Sequence, residues 1–209
     1  MNNIRVWDLP TRLVHWLLVA LVAFSWWSAE NHHMDYHRYS GYVLLGVLVF
    51  RVYWGFVGGA TARFNNFVRG PRAIIEYLRS DSKVAGHNPL GALSVLALLI
   101  LLIVQVSLGL FAVDVDGLES GPLSYMVSFD AGRACAEVHE IIFNVLLAAI
   151  VLHLLAILFY WIVKRDNLLG AMITGKKVLP QAMQVVVVES LPRIAVGVAL
   201  AGAVVWAIV

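Results

Sequence analysis

Residues 137–163 read EVHEIIFNVLLAAIVLHLLAILFYWIV, and the architecture of the chain turns on this stretch. No charged residue stands between Glu140 and Lys164, so the run is long enough to cross a bilayer, which takes about 20 apolar residues. Two histidines, His139 and His153, interrupt it. Fourteen residues of helix rise about 21 Å and turn about 1400°, within about 40° of four whole turns. The two imidazoles therefore share one face at opposite depths of one helix. Imidazoles at membrane depth are rare and usually functional. This spacing suits two cofactors stacked across a bilayer, one in each leaflet.

The rest of the chain is of the same kind. Of its 209 residues, 61% are hydrophobic and 13% charged, and the mean hydropathy is +0.82. A soluble domain runs near 45–50% apolar and about 25% charged, so this is an integral membrane protein. Four more apolar runs are long enough to span: Pro10 to Ala29, Tyr39 to Val57, Leu90 to Val113 and Leu191 to Val209. The first is read as a retained helix. It carries His15 in its first turns and leads into Ser-Ala-Glu-Asn-His-His, without a convincing small-x-small cleavage site; a cleaved signal peptide is the alternative. Fifteen Lys and Arg against 13 Asp and Glu leave +2, too small a surplus for a nucleic-acid surface. The single cysteine, Cys135, excludes an internal disulfide, and without a C-x-x-C-H stretch covalent c-type haem attachment is excluded too.

The connections set the orientation. Arg63, Arg69, Arg72, Arg79 and Lys83 follow the second span, and Lys164, Arg165, Lys176 and Lys177 follow the fourth. The other two connections offer only Arg38, and Arg133 among Asp114, Asp116, Glu119 and Asp130. The positive-inside rule then makes the N-terminus of this multi-pass protein cytoplasmic, with the basic loops inside. Five spans leave the C-terminus outside.

Depth pairs the histidines. His15 lies early in the first span, towards the cytoplasm, and His37 at the outer start of the second. The fourth span descends, which makes His139 outer and His153 inner. His37 thus faces His139, and His15 faces His153, provided the fourth helix extends beyond the bilayer. Zinc wants four ligands, and Glu137 and Glu140 are near only one of the sites. Haem brings four equatorial nitrogens and needs only two axial groups, which a bundle interior can hold. With both axial positions filled, such a haem passes electrons. Arg51 repeats on the second span the 14-residue spacing, which places it on the ligand face near the inner site. It is read either as a partner for a haem carboxylate or as a snorkelling boundary residue. Arg38 adjoins the outer ligand and is read, with Arg51, as a cofactor-binding residue. His32 and His33 read as solvated loop residues, with proton release from a quinol as the alternative. His87, with Asn88-Pro89, reads as the opening of the third span, with a quinone hydrogen bond as the alternative. Gln105 could bond a haem edge or a neighbouring helix. Trp7, Trp16, Trp26, Trp27 and Trp54 fit an aromatic belt. Cys135 is assigned no chemistry.

With these residues in place, the sequence resembles the bacterial cytochrome b561 family, within the wider group that includes the b-type cytochrome subunits of nickel-iron hydrogenases. The likeness covers about residues 5–177. It rests on Val6-Trp7-Asp8-Leu9-Pro10-Thr11-Arg12 leading to His15-Trp16, on His37 with Gly41 and Arg51, and on Gly86-His87-Asn88-Pro89-Leu90-Gly91. It continues through Val138-His139-Glu140, Leu152-His153 and Arg165-Asp166-Asn167-Leu168 to Gly175-Lys176. The resemblance implies an all-α four-helix membrane bundle with two b haems, ligated at His15, His37, His139 and His153. It also implies exchange with the quinone pool and a redox partner, such as a periplasmic c-type cytochrome or oxidoreductase. Two alternatives stay open: superoxide oxidation at the outer face, where Arg133, His32 and His33 could gather an anion, and service as a membrane anchor for an oxidoreductase such as a hydrogenase. The fifth span lies outside the four-helix pattern. The expected organisation is a di-haem unit over residues 1–177, then a linker and an additional transmembrane helix over 178–209.

Overall fold

A computed structural model describes residues 2–68, 70, 72, 75–77, 86–179 and 190–209; Arg69, Arg79, Lys83 and most of the expected 178–190 linker lie outside the described residues. Among them, five helices are long and apolar enough to cross a membrane: α1 (Leu9–Glu30), α2 (Met34–Val57), α4 (Pro89–Phe111), α5 (Phe129–Ile162) and α7 (Leu191–Ile208). Short helices α3 (Phe64–Phe67) and α6 (Leu168–Thr174) lie between them, with strands β1 (Asn2–Arg5) and β2 (Lys176–Leu179).

Local chemistry fixes the helix starts. Asp8 Oδ1 accepts from the Thr11 amide at 2.7 Å, and Asn88 Oδ1 accepts from the Gly91 amide at 2.7 Å. Each cap satisfies an amide that the helix itself leaves without a partner. Pro10 and Pro89 occupy first-turn positions, where a missing amide costs nothing. Between α1 and α2, His32 takes a left-handed backbone (φ 58°), which few residues with a Cβ adopt, and α2 returns directly alongside α1.

The bundle core is a leucine layer. Leu44 and Leu48 of α2, Leu99 and Leu102 of α4 and Leu146 of α5 are buried together, with Leu18, Leu21 and Val22 of α1 packed against them. The backbones of α1 and α2, and of α4 and α5, pack closely, whereas α2 and α5 meet mainly through long side chains. The fifth span, α7, lies against α2. Gly197 faces the rings of Phe50 and Tyr53, and Arg193 donates to the Val57 carbonyl at 3.0 Å.

Two features differ from the sequence expectation. Helix α5 starts at Phe129, eight residues before Glu137, because Ser128 caps it and the polar first turns are helical although not apolar. Hydropathy marks lipid contact, not helix length. The second is a two-stranded antiparallel ribbon that pairs β1 with β2 in the register Arg5 to Lys176. It ties residues 2–5 to the segment after α5. Arg12 adds to this clasp by donating to the carbonyls of Met172 (3.3 Å) and Ile173 (2.5 Å).

A Cβ on Gly197 would stand 2.8–2.9 Å from Phe50 and Tyr53. Overpacking of this kind costs about 1–3 kcal/mol. Gly197→Leu is therefore expected to lower the thermal midpoint of the detergent-solubilised protein, while Gly202→Leu, where a Cβ meets open space, leaves it in place.

Candidate functional site

The structure brings His37 and His139 together. His37 lies in the first turn of α2 and His139 in the third turn of α5. Their ring centroids are 6.1 Å apart, with the rings nearly perpendicular at 80°. Each ring spends one nitrogen on a carbonyl: His37 Nδ1 donates to Ser25 O and His139 Nδ1 to Gln105 O, both at 2.9 Å. A carbonyl only accepts, so Nδ1 carries the hydrogen and Nε2 keeps the lone pair that a metal needs. Gly109 of α4 lets the His139 ring lie close; a Cβ there would stand 3.1 Å from His139 Cε1. Gly41, one turn after His37, has no atom within 4 Å of where its Cβ would stand.

At the other end of the bundle stand His15 of α1 and His153 of α5, within electrostatic reach of each other. The helix register carries them to one level. Trp26 packs its ring on Phe143 at 6.2 Å. From that contact, His15 lies 11 residues down α1 and His153 lies 10 residues down the antiparallel α5. His153 Nδ1 pairs with Ser94 Oγ at 3.1 Å, while His15 Nδ1 is buried without a partner among the described residues. Leucines separate the two ends. Leu44 stands midway between His37 and Arg51, and Leu146 midway between His139 and His153, both almost fully buried. Steps of seven residues keep one face to within about 20°, so α2 and α5 present the same cadence to each other.

Arg51 is buried at the His15 end. Its guanidinium lies 5.1 Å over the Phe64 ring, and Nη1 has no partner among the described residues. Asp8 is the acidic group within its electrostatic reach. The Asp8 carboxylate also caps α1 and accepts from Trp54 Nε1 at 3.2 Å. A buried guanidinium with so little compensation is a place for an anion.

His87, at the opening of the third span, belongs to the same end, and the sequence did not reveal how deeply it is held there. Its ring is held between Trp7 (4.6 Å) and Phe67 (4.5 Å), and its Nδ1 is buried and unpartnered among the described residues. Burial pushes His87 down to about 3, and the nearby charges of Arg51, His153 and His15 act in the same direction. Trp7 and Phe67 come from segments distant in sequence, so only the motif Gly86-His87-Asn88-Pro89 could have drawn attention to it.

The remaining expected residues have partners of their own. Arg38 pairs with Asp35 at 2.5 Å and with Glu119, which ties the α4–α5 connection to α2. Arg133 donates to the Val113 carbonyl at 3.1 Å and pairs with Glu137 at 3.8 Å. His33 packs between the rings of Trp27 and Tyr36. Cys135 is a half-buried free thiol. Among the described residues no three His, Cys, Asp or Glu side chains converge to hold a bare metal ion.

The sequence profile of the prokaryotic cytochrome b561 family matches residues 6–175. The chain belongs to that family. It is a multi-pass membrane cytochrome, and its prosthetic group is a b-type haem. Among curated relatives, it is similar to the probable Ni/Fe-hydrogenase B-type cytochrome subunit of Azotobacter chroococcum mcd 1. The two are 28% identical over 149 residues, which covers 56% of this chain and 62% of the relative. The subunit of the same name from Azotobacter vinelandii is 27% identical over 146 residues (55% and 61%), and that from Rhizobium leguminosarum bv. viciae 24% over 213 residues (84% and 89%). Against the two Azotobacter proteins the chain spans less than two thirds of the relative's length. No solved structure matches it to a significant degree.

The residues present fit a b haem. Metal–imidazole bonds are about 2.0–2.1 Å, so two rings sharing one metal have centroids roughly 6 Å apart, which is the spacing of His37 and His139 in this b561 protein. The lone pairs left on Nε2 and the space at Gly41 fit the iron and the macrocycle of the group, and at the opposite end of the bundle the unpartnered Arg51 Nη1 fits the carboxylate of a group held there.

Asp8→Ala removes a cap and the acidic neighbour of Arg51 at once. A cap costs about 0.5–2 kcal/mol and an uncompensated buried charge adds about 3–5 kcal/mol, so a large loss of thermal stability is expected. Adding Arg51→Met should restore part of it. Strictly additive losses in this double-mutant cycle would show that the two charges do not interact.

Proposed function

We propose that this protein carries electrons across a bacterial inner membrane through two b-type haems in series, between the quinone pool and a redox partner at the outer face. The observation that carries the reading is the paired imidazoles: His37 with His139 at one end, and His15 level with His153 at the other. Each haem, when bound, supplies a one-electron iron couple. The chain's own residues do the rest. Ser25, Gln105 and Ser94 orient three of the four imidazoles through Nδ1. The leucine layer keeps water out from between the ends, and Arg51 offers a cation to the carboxylates of the inner haem. Arg38 enters this reading as a tether for the outer connection, since Asp35 and Glu119 already hold it.

Orientation follows from charge. Arg63, Arg72, Lys164, Arg165, Lys176 and Lys177 gather at the His15 end, which we assign to the cytoplasm. We read residues 1–177 as the di-haem unit and 178–209 as a linker with an additional helix, since α7 lies outside the family match. The names of the curated relatives favour a partner of the hydrogenase kind, for which α7 offers an extra helix to dock against. Superoxide oxidation fits less well, because acidic groups dominate the His37 end and Arg133 is ion-paired.

A pyridine haemochrome assay is expected to return two haems per chain; one haem would exclude a transmembrane wire. In redox titrations His15→Ala and His153→Ala should abolish one midpoint, and His37→Ala and His139→Ala the other. Each within-pair double variant should look like its single variants, as expected of groups that share one partner. Loss of the same midpoint in His15→Ala and His37→Ala would overturn the pairing. For orientation, Arg72→Cys in a Cys135→Ser background should escape a membrane-impermeant maleimide in intact spheroplasts and react after permeabilisation.

A further inference from the structure

The His37 end has a surface that the electron path alone does not require. The topology gathers there the end of α1, the start of α2, the α4–α5 connection and the first turns of α5. Eight of the chain's 13 acidic residues stand on these segments, against two of its 15 basic ones. Both basic groups are already paired. Arg38 takes up Asp35 and Glu119, and Arg133 takes up Glu137. Glu30, Asp114, Asp116, Asp130 and Glu140 are left without a cation among the described residues.

Within this acidic rim the connection holds large apolar side chains out of the fold. Leu118 is 82% exposed and Tyr125 80%, with Val115 and Met126 nearly as open. The segment is not loose. Glu119 is pinned to Arg38, the residue next to His37. Val113 bridges Ser120, and Gly121 lies so close to α4 that a Cβ would stand 2.2 Å from Gly109 O. Gly109 in turn abuts His139. The apolar tips are thus braced on a rigid support directly over the His37–His139 pair.

A fixed apolar patch ringed by charge is the anatomy of a recognition surface. Two occupants can cover it, a membrane surface or a protein. Bacterial bilayer surfaces are anionic and attract basic segments, so five uncompensated carboxylates oppose insertion of these tips among headgroups. The same carboxylates attract a basic protein and steer its approach.

We infer that the connection 112–128 is the docking surface for a soluble redox protein whose exposed redox edge is apolar and ringed by lysine or arginine. This inference rests on the electron-transfer reading given above and names the chemistry of its partner. The exchange is a single electron. As this chain is oxidised by one equivalent, the partner is reduced by one, and no atom changes place. Weak electron-transfer encounters of this type bury little area and rely on long-range charge.

The test uses the full-length haem-loaded protein in nanodiscs, reduced and mixed by stopped flow with an oxidised lysine-rich c-type cytochrome as the probe. The second-order rate constant should fall about tenfold as salt is raised enough to screen the rim. The variant Asp114→Asn/Asp116→Asn/Asp130→Asn should slow the exchange about tenfold at low salt, with an unchanged haem spectrum. The same cytochrome with its lysines acetylated should be slow with either protein. Leu118→Ala/Tyr125→Ala should slow exchange at every salt concentration. A rate indifferent to salt and to the triple variant overturns the docking surface. So does equal slowing of native and acetylated probes. A nitroxide on Leu118→Cys in a Cys135→Ser background supplies a second arm. Greater accessibility to dissolved oxygen than to a water-soluble nickel chelate would place the loop in the bilayer and overturn the inference. Protein that binds no haem, or cannot be reduced, would instead sink the electron-transfer reading itself.

Discussion

An imidazole in hydrocarbon must find partners for both of its ring nitrogens, and much of this structure answers that demand. Water is absent at that depth, and an unpaired polar group there costs several kcal/mol. Three histidines meet half of the requirement with protein atoms supplied by a neighbouring helix: Ser25, Gln105 and Ser94. For His37 and His139, whose partners are carbonyls, the remaining half is a lone pair on Nε2. Helix spacing follows from this. Helices α2 and α5 cannot pack backbone to backbone where two rings must stand between them, so their contact is carried by long side chains and by the leucines at the midpoint.

Much of this could be read in the sequence, for identifiable reasons. Helical periodicity places His139, Leu146 and His153 on one face, because seven residues come within about 20° of two full turns. Hydropathy found the ends of α1, α4 and α7 to within a residue or two, since lipid contact and helix coincide there. They part company at α5, whose first turns are helical but polar, and at residues 34–38 of α2, where Asp35, His37 and Arg38 conceal a helix start. The ribbon of β1 and β2 could not be seen at all. Its strands are four residues each, and their pairing depends on a partner at the far end of the four-helix core. His87 was legible only as a helix opening, because the rings that hold it come from Trp7 and Phe67. The sequence placed Arg38 beside His37 but could not reveal its partners in space, the carboxylates of Asp35 and Glu119.

The two ends of the bundle differ in polar character. Among the described residues, the buried side-chain atoms without partners at the His15 end are nitrogens of His15, Arg51, Arg63 and His87, with the Thr11 hydroxyl. At the His37 end they are oxygens, from Gln105 and Asp114. The same sign separates the surface charges, basic at one end and acidic at the other. Buried Arg51 sits at the basic end, where the chain supplies Asp8 as counter-charge but uses that carboxylate to cap α1 and hold Trp54.

The clasp that closes the His15 end also bears on how the protein is made. Arg12 and Ile173 are 161 residues apart, and the hydrogen bond between them cannot form until four spans have entered the membrane. Contacts of such sequence separation close late, because the loop entropy is spent before they reward it. Residues 2–5 therefore leave the ribosome before the four spans and settle only after them. Throughout insertion of the bundle, the edge of β1 has no strand beside it. Closure of the four-helix core thus comes with the joining of residues 2–5 to residues 176–179, and a ribosome stalled before residue 176 leaves a bundle whose end has not been fastened.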